Sequence, residues 1–316
     1  MAAMPPAVGA AALVGITLIW GTTFVVIKEV LNTIPVPLLL ALRFTLAGLL
    51  LSWARFDRRA VKPALVLGLL AFIGFATQTM GLSLTTASRA AFITGLSVIL
   101  TPLVAAAWLR RRVAGRAYLA ALVALAGLGM MTLHGGAKAI NGGDVWVLAT
   151  ALAYALFIVY LGEVAGRASA TSLAALQHVP MALLAWLWAL PQVGELRHVP
   201  LTTYLAILYL AAVATALVAV VQTYAQRVVP AQVAALIFVL EPVVASIFAF
   251  FLLGERLGLV GWIGGALVVA AMFLSELRPR RRPVPSGHPL ASARSASTPG
   301  GPDAGRGDAG SGRADG

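Results

Sequence analysis

Cysteine is absent from this 316-residue chain, and only 11% of its residues are Asp, Glu, Lys or Arg. The missing thiols exclude disulfides, thiolate metal sites and thiol catalysis. A soluble domain carries about a quarter charged residues, so this scarcity excludes that class as well. There is no G-x-x-x-x-G-K-[ST] phosphate loop and no H-E-x-x-H pair. The four histidines, His134, His178, His198 and His288, are scattered with no common face. No cofactor, no metal and no catalytic residues are therefore expected. Acidic residues number 11 against 23 Lys and Arg, a formal charge of +12. Most of the Arg lies in short clusters between apolar runs, as membrane topology determinants do, and no nucleic acid is expected as partner.

Hydrophobic residues make up 60% of the chain. About 20 apolar residues cross the hydrocarbon core as a helix. Residues 63–88, 90–109, 117–137 and 199–226 meet that requirement without one Asp, Glu, Lys or Arg. Spanning β-barrels show alternation rather than solid runs, so the expected class is an all-α polytopic membrane protein. Ten helices are expected, over residues 7–27, 37–54, 63–84, 88–109, 115–133, 144–162, 172–191, 202–226, 231–253 and 257–277. The N-terminus lacks the basic region of a signal peptide, so the first helix is read as retained. With the N-terminus inside, the inner segments collect Arg55, Arg58, Arg59, Lys62, Arg110, Arg111, Arg112, Arg116, Arg167 and Arg227. The cluster Arg278, Arg280, Arg281 and Arg282 joins them, whereas the outer segments receive Lys28, Arg89, Lys138, Arg197 and Arg256. That asymmetry predicts both termini in the cytoplasm. Residues 278–316, rich in Pro, Gly, Ser, Ala and Arg, read as a disordered cytoplasmic tail.

The helical pattern is written twice, over residues 1–140 and 141–277. An offset of 134 aligns Leu18-Ile19-Trp20 with Leu152-Ala153-Tyr154, and Leu42-Arg43-Phe44 with Leu176-Gln177-His178. An offset of 144 then aligns Gln78-Thr79 with Gln222-Thr223, Arg112 with Arg256, and Tyr118 with Trp262. Five helices per copy is an odd number, so the second copy is inverted relative to the first. Inverted repeats build a binding site that opens alternately to either face.

Trp20-Gly21-Thr22-Thr23-Phe24 and Leu42-Arg43-Phe44 resemble the opening of EamA-type members of the drug/metabolite transporter superfamily. Leu240-Glu241-Pro242 and Gly254-Glu255-Arg256 resemble the closing signature of the same repeat. The resemblance covers residues from about 10 to 277. It implies a ten-helix transporter in which helices one to four and six to nine surround a central cavity. The first copy departs from the pattern with Thr101-Pro102 and Arg110-Arg111-Arg112. At the 144 offset Pro242 corresponds to Val98, so the two prolines differ by one helical turn.

Several polar residues inside the apolar runs are candidates for the substrate pathway. Arg43 lies about 9 Å inside the second helix at 1.5 Å per residue. It can bind a carboxylate or phosphate through paired hydrogen bonds, or serve as a snorkelling or ion-paired structural residue. Gln78 and Gln222 occupy matching places, where an amide needs a helix or a substrate as partner. Trp20 and Tyr154 also match and suit either stacking on a substrate or core packing. Gln177 and His178 take the repeat positions of Arg43 and Phe44. Glu241 can carry a proton, pair with Arg43, or bond backbone freed by Pro242. Pro102 and Pro242 are candidates for gating bends.

These features predict a secondary-active transporter of small metabolites or drug-like compounds in the cell (inner) membrane. Export by alternating access, coupled to protons, is the first expectation, and uptake by the same fold is the alternative. A non-transporting membrane scaffold or an intramembrane enzyme is the reading from a different class. An enzyme needs an acid/base or nucleophile constellation at one interface, and none is present. A scaffold needs no polar residues at mirrored depths. The expected partners are a small-molecule substrate and the lipid bilayer. Gly261 and Gly265 leave two readings, a homodimer contact or close packing within one chain.

Overall fold

Proline and polar caps set where the helices begin in the computed structural model. It describes residues 4–108, 115, 119–120, 122–124, 126–127, 130, 141–238, 240–256 and 258–276. Helix α1 (Pro6–Val30) starts at a proline, which the first turn tolerates because its N–H groups have no helical acceptor. Helix α2 (Val36–Leu50) likewise starts behind Pro35, with Pro37 in its first turn. Asp57 accepts the Arg59 N–H to open a 3-10 turn, Arg58–Ala60, that runs into α3 (Val61–Leu84). Thr86 caps α4 (Ala87–Gly95) by accepting the Arg89 N–H, and α5 (Ser97–Trp108) follows with Pro102 inside it. Asn141 and Asp144 form a reciprocal capping box at the start of α6 (Gly142–Val164).

Helices α7 (Ala170–Leu176) and α8 (His178–Ala189) are separated at Gln177. Pro180 explains that break, because its nitrogen cannot donate to the Leu176 carbonyl one turn earlier. A 3-10 stretch, Leu190–His198, leads to α9 (Leu201–Ala211). A π-helical turn, Ala212–Leu217, joins α9 to α10 (Val218–Ala225). Helices α11 (Ala231–Phe238), α12 (Leu240–Leu253) and α13 (Gly258–Glu276) complete the described chain.

Three of the expected helices are therefore not single regular rods. The segment 88–109 breaks at Leu96, 172–191 breaks at Gln177, and 202–226 passes through the π turn. Among the described residues all regular structure is helical, and the chain is a multi-pass membrane protein. Seven helical stretches are long and apolar enough to cross a membrane, while Val36–Leu50 and Gly258–Ala271 are shorter apolar helices. The expected helix 115–133 lies largely outside the described residues. So do the basic cluster 109–114, Lys138 and the tail 278–316.

The exterior is apolar: Phe251, Leu259 and Leu201 remain more than two-thirds exposed, as lipid-facing side chains do. Inside, α3 packs along α6, α2 along α8, and α1 along α12. Close approach of α3 to α6 requires Gly74, where an added Cβ would lie 2.2 Å from Tyr154 Cε1. Thr77 and Thr150 share a hydrogen bond of 2.8 Å across the same pair. Gly265 seats the Phe92 ring within the chain, its missing Cβ being 2.7 Å from Phe92 Cζ. Close packing is thus the role the structure shows for that glycine.

Contacts divide the connections between two ends of the bundle. At one end the start of α1 meets the 226–230 connection, Gly9 lying beside Val228 and Val229. Arg227 there donates to the Ala165 and Ala168 carbonyls at 2.8 and 2.6 Å. Asp57 donates its N–H to Ser172 Oγ and accepts the Ser169 N–H at 2.8 Å. At the other end Lys28 meets the end of α3, Gly81 meets Gly143, and Glu255 meets the start of α4. These are called below the Asp57 end and the Glu255 end.

The N–H groups of Ser169 and Arg59 hold the Asp57 carboxyl below its ordinary range. A depressed folded value stabilises the fold above the unfolded pKa, and the benefit is lost as pH falls through the folded value. Asp57→Asn should therefore melt below the wild type at neutral pH in detergent. That difference should shrink below pH about 3.9, the ordinary aspartate value, and vanish below the lowered one. Gly74→Ala should lower stability by about 1–3 kcal/mol through overpacking against Tyr154. Gly15→Ala, with nothing within 4 Å of the added carbon, should leave the melting temperature unchanged or slightly raised in the same thermal assay.

Candidate functional site

The breaks in the helices converge on one cavity. Arg43, the middle residue of α2, lies in its wall and is 1% exposed. An arginine at the centre of a membrane helix costs about 2.5–3.5 kcal/mol on insertion scales, so its surroundings must compensate. Its Nε donates to Thr215 Oγ1 at 2.7 Å. Its guanidinium carbon sits 4.6 Å from the Phe75 ring centroid, in cation–π range. Nη1 is buried and has no hydrogen-bond partner among the described residues.

Thr215 belongs to the π turn, and the turn is what aims it. Its hydroxyl donates to the Leu210 carbonyl five residues back at 2.7 Å, while its oxygen receives Arg43. The next carbonyl, Ala214, accepts the Trp20 indole N–H at 3.4 Å. Trp20 lines the cavity and tilts against Phe238 with centroids 5.3 Å apart. Single-turn π segments of this kind recur at functional sites because they release backbone and side-chain groups from the helical register.

A second group of polar residues forms a relay across the wall. The Tyr154 hydroxyl donates to Gln78 Oε1, and Gln78 Nε2 donates to Thr94 Oγ1, both at 3.3 Å. Tyr154 also meets Phe75 edge-on, centroids 5.8 Å apart, and Phe75 meets Phe44 at 5.4 Å. At the α7–α8 break, Gln177 Nε2 donates to the Ala174 carbonyl at 3.5 Å, and its buried Oε1 has no partner among the described residues. His178 Nδ1 lies 2.7 Å from the same carbonyl. A carbonyl only accepts, so the proton sits on Nδ1. Gln222 donates to Gln226, which in turn donates to the Ile158 carbonyl.

The structure therefore brings Trp20, Arg43, Gln78, Tyr154, Gln177, His178, Gln222 and Glu241 to the wall of one cavity. It does not pair Glu241 with Arg43. Among the described residues the ion pairs are Arg89–Asp144 and Arg167–Glu163, and Glu241 has no hydrogen-bond partner. The Pro242 carbonyl is taken by Ser246 Oγ at 2.7 Å. Pro102 and Pro242 lie outside the lining, each four residues beyond a lining residue, Val98 and Phe238. Thr215, Phe75, Thr94 and Ser97 were not legible as site residues. Threonine and phenylalanine are ordinary in apolar helices, and a π turn has no sequence signature.

The cavity is not centred between the two ends. Toward the Asp57 end it reaches Leu161 and Thr223, three and two residues from the ends of α6 and α10. At 1.5 Å per residue these are about 4.5 and 3 Å. Toward the Glu255 end it stops at Gln78 and Thr94, six and seven residues inside α3 and α4, or about 9 and 10 Å.

The chain is similar to two Archaeoglobus fulgidus proteins, each named an uncharacterized transporter. One is 30% identical over 83% of this chain and 84% of the relative. The other is 29% identical over 83% of this chain and 94% of the relative. In fold it is similar to a protein solved by crystallography, at a TM-score of 0.64 and 18% identity, over 84% of this chain and 95% of that one. The pattern of one family matches twice, at residues 7–133 and 141–277, on either side of the Asn141 cap and across the helices that enclose the cavity. The chain belongs to the EamA-like transporter family.

Proposed function

We propose that this protein is a secondary-active exporter of small organic anions with an apolar or aromatic body, working by alternating access. The observation that carries the reading is the buried guanidinium of Arg43. It lines the cavity and, among the described residues, has no carboxylate partner and leaves Nη1 unbonded. A carboxylate or phosphate on the substrate is the group whose charge and oxygens complete it. Phe75, Trp20 and Tyr154 supply aromatic surface beside that charge for the rest of the solute. Gln78, Gln177, Gln222 and His178 add polar contacts that select among such anions. The transporter class follows from the family, while direction and substrate are our reading.

Orientation follows from charge. Arg55, Arg58, Arg59, Lys62, Arg167 and Arg227 gather toward the Asp57 end, which supports a cytoplasmic Asp57 end with both termini on that side. The cavity reaches nearer to that end, where a cytoplasmic solute enters, and this supports export across the cell membrane. Residues 7–133 and 141–277 act as two inverted halves around the site. Glu241, a carboxyl of the same wall with no cationic partner among the described residues, is the residue we assign to proton coupling.

Two measurements test the reading in proteoliposomes offered a mixture of small carboxylates and resolved by mass spectrometry. Removing one member of a buried charge pair costs about 2 kcal/mol or more, roughly thirtyfold in affinity. Arg43→Ala should therefore lower transport of the selected anion at least that far, with Arg43→Lys intermediate because an ammonium lacks the planar fork. Wild-type rates in a well-folded Arg43→Ala protein would exclude anion recognition by this residue. With an imposed pH gradient, Glu241→Gln should lose the gradient-driven component and keep passive exchange. An undiminished response to the gradient removes Glu241 from the coupling step.

A further inference from the structure

The Glu255 end of the cavity is closed by α4, and both ends of that helix bear on the cavity's state. All nine residues of α4, Ala87–Gly95, are buried. Its last residues, Thr94 and Gly95, line the cavity, and Ser97 and Val98 continue the lining beyond the break at Leu96. Its first turn is gripped from two sides. Glu255 accepts the N–H groups of Ala87 and Ser88 at 2.8 and 3.0 Å, and the Ser88 hydroxyl at 2.8 Å. Arg89 pairs with Asp144 at the start of α6, both side chains only 4% exposed. Both carboxylates come from the second family match, and the helix they hold comes from the first.

Each carboxylate is itself fixed. Gly254 takes a positive φ of 66°, and the Glu255 N–H donates back to the Ala249 carbonyl at 3.2 Å. This bond reaches the carbonyl six residues back and closes the end of α12 behind a left-handed residue, a conformation glycine adopts without strain. Asp144 accepts the Asn141 N–H at 3.0 Å and the Thr85 hydroxyl at 3.4 Å. Lys28 completes the cluster by donating to the Leu82 and Thr85 carbonyls. Negative charge is favoured at a helix N-terminus, where N–H groups lack helical acceptors. The grip therefore complements α4 only while α4 stays in this position.

We propose that the first turn of α4 is a latch that keeps the cavity shut at the Glu255 end. Glu255 and Asp144 are its two holding residues, and Leu96 is the break about which α4 moves when they let go. The inference rests on the alternating-access reading above. It assigns these residues to gating rather than to solute binding, since none of Lys28, Arg89, Asp144 or Glu255 lines the cavity. The opposite end is held differently: Asp57 grips Ser169 and Ser172, and Arg227 grips two carbonyls. No ion pair joins the two family matches there among the described residues. Opening toward the Glu255 end is thus the step that must part a buried ion pair.

The absence of cysteine makes the test direct. Ser97→Cys places a single, nearly isosteric thiol in the cavity wall. Its rate of reaction with a membrane-impermeant maleimide is read in right-side-out and in inverted membrane vesicles. The reporter alone should react mainly from the Asp57 end. Adding Glu255→Ala and Asp144→Asn should raise the rate from the Glu255 end by at least about tenfold, the population change expected from losing one charge-assisted hydrogen bond. The rate from the Asp57 end should fall in the same protein. Because Asp144→Asn also removes the carboxylate that pairs with Arg89, Glu255→Ala alone is the second variant, with a smaller shift in the same two directions. Rates from both ends that rise together mean loosened packing and overturn the latch. Rates left unchanged while the reporter protein still transports the carboxylate mixture overturn the latch alone. A reporter reached from neither face in any variant overturns the transport reading with it.

Discussion

In a chain surrounded by lipid, every buried donor and acceptor must find its partner within the protein, and the rest of this structure answers to that constraint. Most side chains meet it locally. The hydroxyls of Thr17, Thr101, Thr223 and Ser246 each donate to the carbonyl four residues back on their own helix. Others bridge helices, as Trp186 does in donating to Thr45 and as Thr22 does with Tyr209. Against that background, unmet hydrogen-bonding capacity is informative. Among the described residues Arg43 Nη1 and Gln177 Oε1 are both buried, both lack partners, and both belong to residues of one cavity wall.

The same constraint explains how irregular backbone becomes useful. A helical register satisfies carbonyls and N–H groups automatically but leaves little freedom to aim a side chain. The π turn at Ala212–Leu217 and the break at Gln177 both give up part of that register beside the cavity. The π turn lets Thr215 receive Arg43 and lets Ala214 receive Trp20. Non-helical backbone is tolerated at membrane depth only where it lines a cavity or is covered by protein, and both irregularities lie in such a place. Charge obeys a related rule. Arg89 and Asp144 are buried as a pair with further hydrogen bonds, whereas Arg43 is buried with a hydroxyl and an aromatic ring but, among the described residues, no counter-charge. One arrangement is complete as it stands, and the other is the one we propose a substrate anion completes.

Much of the fold was legible in the residues. Solid apolar runs require membrane helices, and all regular structure among the described residues is helical, with seven stretches long and apolar enough to cross a membrane. The site was legible in part, since a polar residue inside an apolar run has few places to go. Arg43, Gln78, Gln222, Gln177, His178, Trp20, Tyr154 and Glu241 reach one cavity for that reason. What could not be read was partnership. Glu241 does not pair with Arg43, Gln222 bonds Gln226, and Arg89, counted only as a topology charge, is buried against Asp144.

The sequence alone determined that this chain is helical, membrane-spanning, without thiol chemistry and with polar groups set inside its spans. Those properties depend on composition and on runs of neighbouring residues, which a linear chain displays directly. Only the tertiary structure decided which polar groups meet, that a π turn aims Thr215 at Arg43, and that Glu255 holds the first turn of α4. Those contacts join residues more than 160 positions apart. Their energies depend on distance and direction in three dimensions, and no local pattern in the chain records either.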